Sequence, residues 1–127
     1  MPVLEPVDGV RVVAAPAALD GARWAGGDVD VVRIAPDEAL GIGATGVEVD
    51  DPEAIVEPEA GFAVALLDGI EVAALAAHMD WALPGDAGTV AQGKIAGVPA
   101  KVLVGDPTLL ITNAAYADEL GRRLGWR

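Results

Sequence analysis

The stretch "HMDWALPGDAGTVAQGKIAGVPAKVLVG", from His78 to Gly105, changes hydrophobic period in the middle. Upstream of it, Val72, Leu75, Ala76, Met79 and Leu83 follow the i, i+3, i+4, i+7, i+11 spacing of a helix face, which predicts a helix over Ile70–Leu83 ended by Pro84-Gly85. Downstream, "TVAQGKIAG" and "VPAKVLVG" alternate with the period of two that only a strand satisfies, and they meet at Ala96-Gly97, a hairpin turn. A chain that moves from helix to paired strands within about ten residues has to layer helix on sheet.

The rest of the sequence extends that reading. Gly9–Val13 is rich in β-branched residues and reads as a short strand, after which "APAALDGARWAGGD" breaks the pattern. Val29–Ala35 and Ala39–Gly43 form a second hairpin around Pro36-Asp37-Glu38, where proline presets the turn dihedral. "TGVEVDDPEAIVEPEAG" carries Glu48, Asp50, Asp51, Glu53, Glu57 and Glu59, and reads as a solvated acidic connector. Pro52 and Pro58 interrupt the ligand spacing that a calcium loop needs. Gly61–Gly69 is an apolar run bounded by glycines, a central strand with Asp68 as the cap of the helix that follows. Pro99 places the start of the return strand at an edge. Thr108–Thr112 makes the next strand, and Asn113 caps a last helix with Tyr116, Ala117, Leu120 and Leu124 as its buried stripe and Gly125 at its end. The second half is therefore β-α-β-β-β-α. The fold class is α+β, one domain over residues 1–127, with helices on one face of a mainly antiparallel sheet.

Composition bounds function more by exclusion than by suggestion. The formal net charge of −12 over 127 residues repels phosphate backbones and anionic membranes, so neither nucleic acid nor membrane is the expected partner. There is no Cys and no Ser, and His78 is the only imidazole, which removes thiolate metal sites and the Ser-His-acid arrangement; Lys94 and Lys101 are the only lysines and have no evident base beside them. "GDAG" and "GIGATG" lack the Lys-Ser/Thr ending of a phosphate loop. Three Trp, one Tyr and one Phe leave the core to small and branched aliphatics. No leader pattern and no apolar run of about 18 residues is present, so the expected compartment is the cytoplasm.

Three positions in the first stretch draw attention. Asp80 falls in the last turn of the predicted helix, where the helix dipole disfavours an acid, and such violations concentrate at functional sites. Trp81 beside it is read as packing before ligand platform, and His78 as a surface residue near the helix end.

From Asp80 onward the pieces resemble a known family. A helix, an Asp-x-x-x-Pro connector, "GTVAQGKIAG" and "VPAKVLV" as hairpin strands, and "LLITNAAYADEL" as strand, Asn-Ala and helix follow the order of the folate-binding aminomethyltransferase fold. The resemblance is strongest to the gamma subunit of heterotetrameric sarcosine oxidase and to the glycine-cleavage T-protein. "RIAPDEAL" and "GFAVALLDGIEVAAL" extend it upstream, so that it spans residues 29–126 and leaves residues 1–28 as an N-terminal extension. The resemblance implies Asp80 and Asn113 as contacts of a tetrahydrofolate cofactor, with Trp81 adjacent, and no catalytic or metal-binding residues. The connector reads Met79-Asp80-Trp81 where catalytic members carry an Asn-Asp pair, and nothing here supplies the other domains that enclose folate. The implied role is a non-catalytic accessory subunit packed on a protein partner. A standalone tetrahydrofolate or small-molecule binding module, completed by forming a homo-oligomer, is the alternative; a one-carbon transferase acting alone is a third reading.

Overall fold

Strand β1 (Glu5–Val13) starts four residues before the β-branched run, and Pro16 then opens helix α1 (Pro16–Asp20) at a first-turn position where its missing N–H costs nothing. Strands β2 (Arg23–Ala35) and β3 (Glu38–Glu48) turn at Pro36-Asp37, as the turn chemistry predicts. Strand β4 (Ile55–Leu67) leads to α2 (Gly69–Leu75) and a 3₁₀ turn at Ala76–His78. Strands β5 (Val90–Ile95), β6 (Val98–Leu103) and β7 (Thr108–Asn113) follow, then a 3₁₀ turn at Ala114–Tyr116 and helix α3 (Ala117–Arg123). These elements belong to a computed structural model that describes residues 2–126. The seven strands form an antiparallel sheet carrying three short helices, an α+β fold.

The chain divides into two compact units. In the first, residues 7–60, the strand order is β2-β3-β1 followed by the start of β4. Its β2–β3 register shifts between Gly26 and Asp30, and Gly43 stands opposite that bulge at φ +85°. Val10, Val12, Ala14, Leu19, Ala39 and Ala44 make its core, with Trp24 half-buried against them. Asp51 sits in the connector between β3 and β4 and accepts hydrogen bonds from the backbone N–H groups of Ala15 and Glu53, both at 2.9 Å. Those two bonds hold its carboxyl below the usual aspartate value. A depressed folded value means that the contribution is complete above about pH 4 and fades as pH falls through the lower folded value. We therefore expect the stability difference between the wild type and Asp51→Asn to hold steady above about pH 4 and to shrink as pH falls below it in urea titrations. A gap that stays constant below that value would contradict the assignment.

The second unit, residues 2–6 with 61–126, has the order β4-β7-β6-β5. Register fixes its faces. Leu67, Ala65, Leu110, Val102, Ala100, Val98 and Ile95 alternate along paired strands onto one face, where Leu75 of α2 and Leu120 of α3 complete a buried cluster. Its members are Ala, Val, Leu and Ile, and no aromatic residue is among the buried hydrophobics described, as composition predicts. Asp68 caps α2 with a full capping box: its carboxylate accepts from Glu71 N–H and Glu71 accepts from Asp68 N–H, each at 2.8 Å. Asp68→Ala should lower stability by about 1 kcal/mol in thermal melts followed by circular dichroism. At the other end, α3 closes with Gly125 at φ +79°, and the paired bonds Gly125 N–H to Arg122 C=O and Trp126 N–H to Gly121 C=O form a Schellman motif.

Three expectations need correction. The helix does not reach Leu83. It ends at Leu75, tightens to His78, and Met79 is extended. Met79, Trp81 and Leu83 reach the same apolar cluster from non-helical chain, and the carbonyl freed at His78 is taken by Ala96 N–H at 2.8 Å, so tertiary contacts supply what another helical turn would have supplied. The acidic connector narrows to residues 49–54, because Ile55 and Val56 are extended β-formers and Pro58 fits a strand dihedral while giving up only one N–H. Pro99 is not at an edge, since β6 lies between β5 and β7. Ile95 and Val98 flank the two-residue turn as its hydrogen-bonded pair, so the next pair, Lys94 and Pro99, exchanges no ladder bonds and the missing N–H costs nothing toward β5. Toward β7, the Thr112 hydroxyl donates to the Pro99 carbonyl at 2.9 Å. The turn itself has φ of +51° at Ala96 and +79° at Gly97, the left-handed pair that a two-residue hairpin needs.

Candidate functional site

Asp80 and Asn113 come from different elements and line different hollows of the second unit. Asp80 lies on an exposed bend and borders a hollow of about 510 Å³ with His78, Lys94, Ala96 and Gly97. Because the helix ends before it, Asp80 does not occupy a last helical turn, and the dipole conflict that singled it out disappears. Asn113, at the end of β7, borders a second hollow of about 550 Å³ with Phe62, Lys94, Pro99, Lys101 and Tyr116. Lys94 on β5 faces both hollows.

Asn113 has a local task. Its side-chain oxygen accepts from Ala115 N–H at 2.9 Å, capping the 3₁₀ turn that leads into α3, as the sequence predicts. That bond takes one of the two lone pairs of the oxygen, and the amide NH2 is the donor that remains to face a ligand. Asn113→Asp keeps the cap and removes the donor, whereas Asn113→Ala should cost about 1 kcal/mol of stability, a contrast that urea titration of the two variants measures.

Trp81 is half-buried, and its indole lies over Gly93 on β5, packed against the unit's apolar cluster. Its Nε1–H donates to the Lys94 carbonyl at 2.8 Å. That carbonyl belongs to the end strand of the sheet and, by the hairpin register, points away from β6; the indole therefore satisfies an edge group that another chain would otherwise reach. His78 is exposed. Among the described residues no group of three or more His, Asp or Glu side chains is placed to hold a metal ion, and no helix is long and apolar enough to cross a membrane. "GIGATG" lies within β3, so its glycines form no loop.

The electrostatic pattern of the chain was not evident from motif reading. Arg11 pairs with Glu38, Arg23 with Glu48 at 2.6 Å, Arg33 with Asp20, and Arg123 with Glu119 at 2.8 Å. The Arg23–Glu48 hydrogen bond raises the guanidinium pKa and lowers that of the carboxyl. Neither Lys94 nor Lys101 forms an ion pair among the described residues. Instead the Lys101 ammonium lies 5.6 Å from the centroid of the Phe62 ring. A sequence signal for this existed: Gln92 and Lys94, and Pro99 and Lys101, occupy alternate positions and share the sheet face opposite the helices.

The sequence matches no protein-family model and no curated protein. Among solved structures, the chain is similar to a chain of heterotetrameric sarcosine oxidase from Corynebacterium sp. U-96, in complex with pyrrole 2-carboxylate. The TM-score is 0.65 at 12% identity, and the match covers 98% of this chain and 80% of that one. It thus extends into residues 1–28, which the sequence resemblance left outside. Seven antiparallel strands with three short helices, aligned over nearly the whole chain, give this protein the α+β fold found in a chain of heterotetrameric sarcosine oxidase.

Proposed function

We propose that this chain is a non-catalytic accessory subunit, like the gamma subunit of heterotetrameric sarcosine oxidase, which packs in the cytoplasm against an amine-oxidising or aminomethyltransferase-type partner and acts there as one domain. The observation that carries this reading is the fold likeness over 98% of the chain to a chain of an enzyme built from several subunits. The residue chemistry is in keeping with it, since the chain has no Ser or Cys and its one imidazole is exposed, so the Ser-His and Cys-His arrangements have no members here. The alternative, a tetrahydrofolate site formed by Asp80, Asn113 and Trp81, has less support. Asp80 and Asn113 border separate hollows, the Asn113 acceptor is engaged in a cap, and the Trp81 indole is engaged with Gly93 and Lys94.

Co-expression with flavin-dependent amine-oxidising subunits from the same genome tests the proposal. Co-elution as one complex, with no turnover of sarcosine by this chain alone, is the expected result. Turnover by the purified chain without a second polypeptide would overturn it. Titration with tetrahydrofolate tests the alternative: micromolar saturation, weakened by both Asp80→Asn and Asn113→Asp, would favour a binding module over an accessory subunit.

A further inference from the structure

The hollow of about 550 Å³ has a charge pattern opposite to that of the chain around it. The protein carries 20 Asp and Glu against 8 Lys and Arg, yet among the described residues no carboxylate lines this hollow, and both lysines of the sequence do. The neighbouring hollows differ: that beside Asp80 mixes Asp80 with Lys94, that beside α3 mixes Asp118 with Arg122, and that beside β3 mixes Arg23 with Glu48 and Asp50.

Strand register explains how the lysines converge. Lys94 stands opposite Pro99, and Lys101 lies two residues farther along the same strand, so the two are diagonal neighbours on one sheet face, with Cα atoms about 7–8 Å apart. Side chains as long as lysine close that gap easily. Lys101 stands opposite Ile111, Asn113 is two residues beyond Ile111, and Phe62 stands opposite Asn113, so all six share the face. Tyr116 from the 3₁₀ turn completes the wall.

The two cations lack the partners that the arginines have. Four arginines hold carboxylates, whereas Lys101 rests over the Phe62 ring, a contact that orients an ammonium without neutralising it. Both lysines line the hollow without an ion-pair partner among the described residues, so an anion bound there gains charge-assisted hydrogen bonds that no carboxylate of the chain competes for. The Phe62 ring, Pro99 and Ile111 supply an apolar floor that a bare inorganic anion does not use.

We propose that this hollow binds a small organic acid, its carboxylate held between Lys94 and Lys101 and its flat apolar body lying against Phe62 and Pro99. The Asn113 amide and the Tyr116 hydroxyl are the further donors at its margin. The site lies wholly in the second unit and does not depend on the accessory-subunit reading.

The test is a two-dimensional NMR titration of the full chain with four probes. Benzoate carries both the charge and the ring, benzamide the ring alone, acetate the charge alone, and inorganic phosphate a charge without an apolar body. Benzoate should saturate, with shifts centred on Phe62, Lys94, Lys101 and Tyr116. Benzamide, acetate and phosphate should each bind at least tenfold more weakly. The double variant Lys94→Gln/Lys101→Gln should retain the folded spectrum and lose at least tenfold in benzoate affinity, and raising the salt concentration should weaken the wild type alone. The proposal is overturned by unsaturable shifts, by shifts centred outside the hollow, by equal binding of benzoate and benzamide, or by unchanged affinity in the double variant. None of these outcomes bears on co-elution with a partner subunit, so the two proposals fail separately.

Discussion

Gly9→Ala should destabilise the protein by about 3 kcal/mol, near the upper end of what overpacking usually costs. Gly9 is buried in β1 opposite Ile42, and a methyl group added there would overlap the Gly41 carbonyl oxygen and stand 3.1 Å from its carbon and 3.2 Å from the Ile42 Cα. All three atoms are backbone. A side chain could rotate away, but here relief requires β1 and β3 to separate, which breaks ladder bonds on both sides of the residue. Gly46 is the control, because a methyl group at that β3 position meets nothing within 4 Å. Gly46→Ala should be neutral or slightly stabilising, as it lowers the freedom of the unfolded chain. Urea unfolding of the two variants measures the contrast, and equal midpoints would show that β1 and β3 do not approach as closely as described.

The second large effect concerns Trp81 and Gly93. A methyl group on Gly93 would fall 2.5 Å from Cε2, 2.7 Å from Nε1 and 2.8 Å from Cζ2 of the indole. The ring must then lift from β5, losing its packing and its bond to the Lys94 carbonyl. Gly93→Ala should therefore cost about 2 kcal/mol. The same change in a Trp81→Ala background should cost almost nothing, since the clashing group is gone, and the double-mutant cycle should show a coupling of about 1–2 kcal/mol. Additive losses would mean that the indole does not rest on Gly93. The pairing also decides how Trp81 should be regarded: a ring that seals an edge strand is part of the fold, and its substitution would weaken any ligand site beside β5 without touching the ligand.

The two capping residues were legible in the sequence because a cap is a local event. Asp68 with Glu71, and Asn113 with Ala115, depend on side chains within three residues of the free N–H groups. The helix after Asp68 was not legible to its end. Its apolar spacing continues to Leu83, yet Met79, Trp81 and Leu83 reach the apolar cluster from non-helical chain, where Ala96 N–H takes the His78 carbonyl and Gly93 leaves room for the indole. Asp80 drew attention through a rule about helix ends, and it lost that claim when the helix proved shorter. The lysines were passed over because they were tested as nucleophiles, whereas their significance lies in pairing across β5 and β6.

By itself the sequence determined the α+β class, the hairpin turns at Pro36-Asp37 and Ala96-Gly97, the caps and the aliphatic core, all of which follow from periodicity and from bonds between near neighbours. Tertiary structure alone decided where α2 stops, that β6 is interior despite Pro99, that Trp81 seals Lys94, and that both lysines meet on one hollow. The first three depend on residues 12 or more positions apart, and the last on a hairpin register that sets lysines seven positions apart on one face beside β4 and β7; register is set by how a whole face buries its side chains, which no single short stretch of sequence contains.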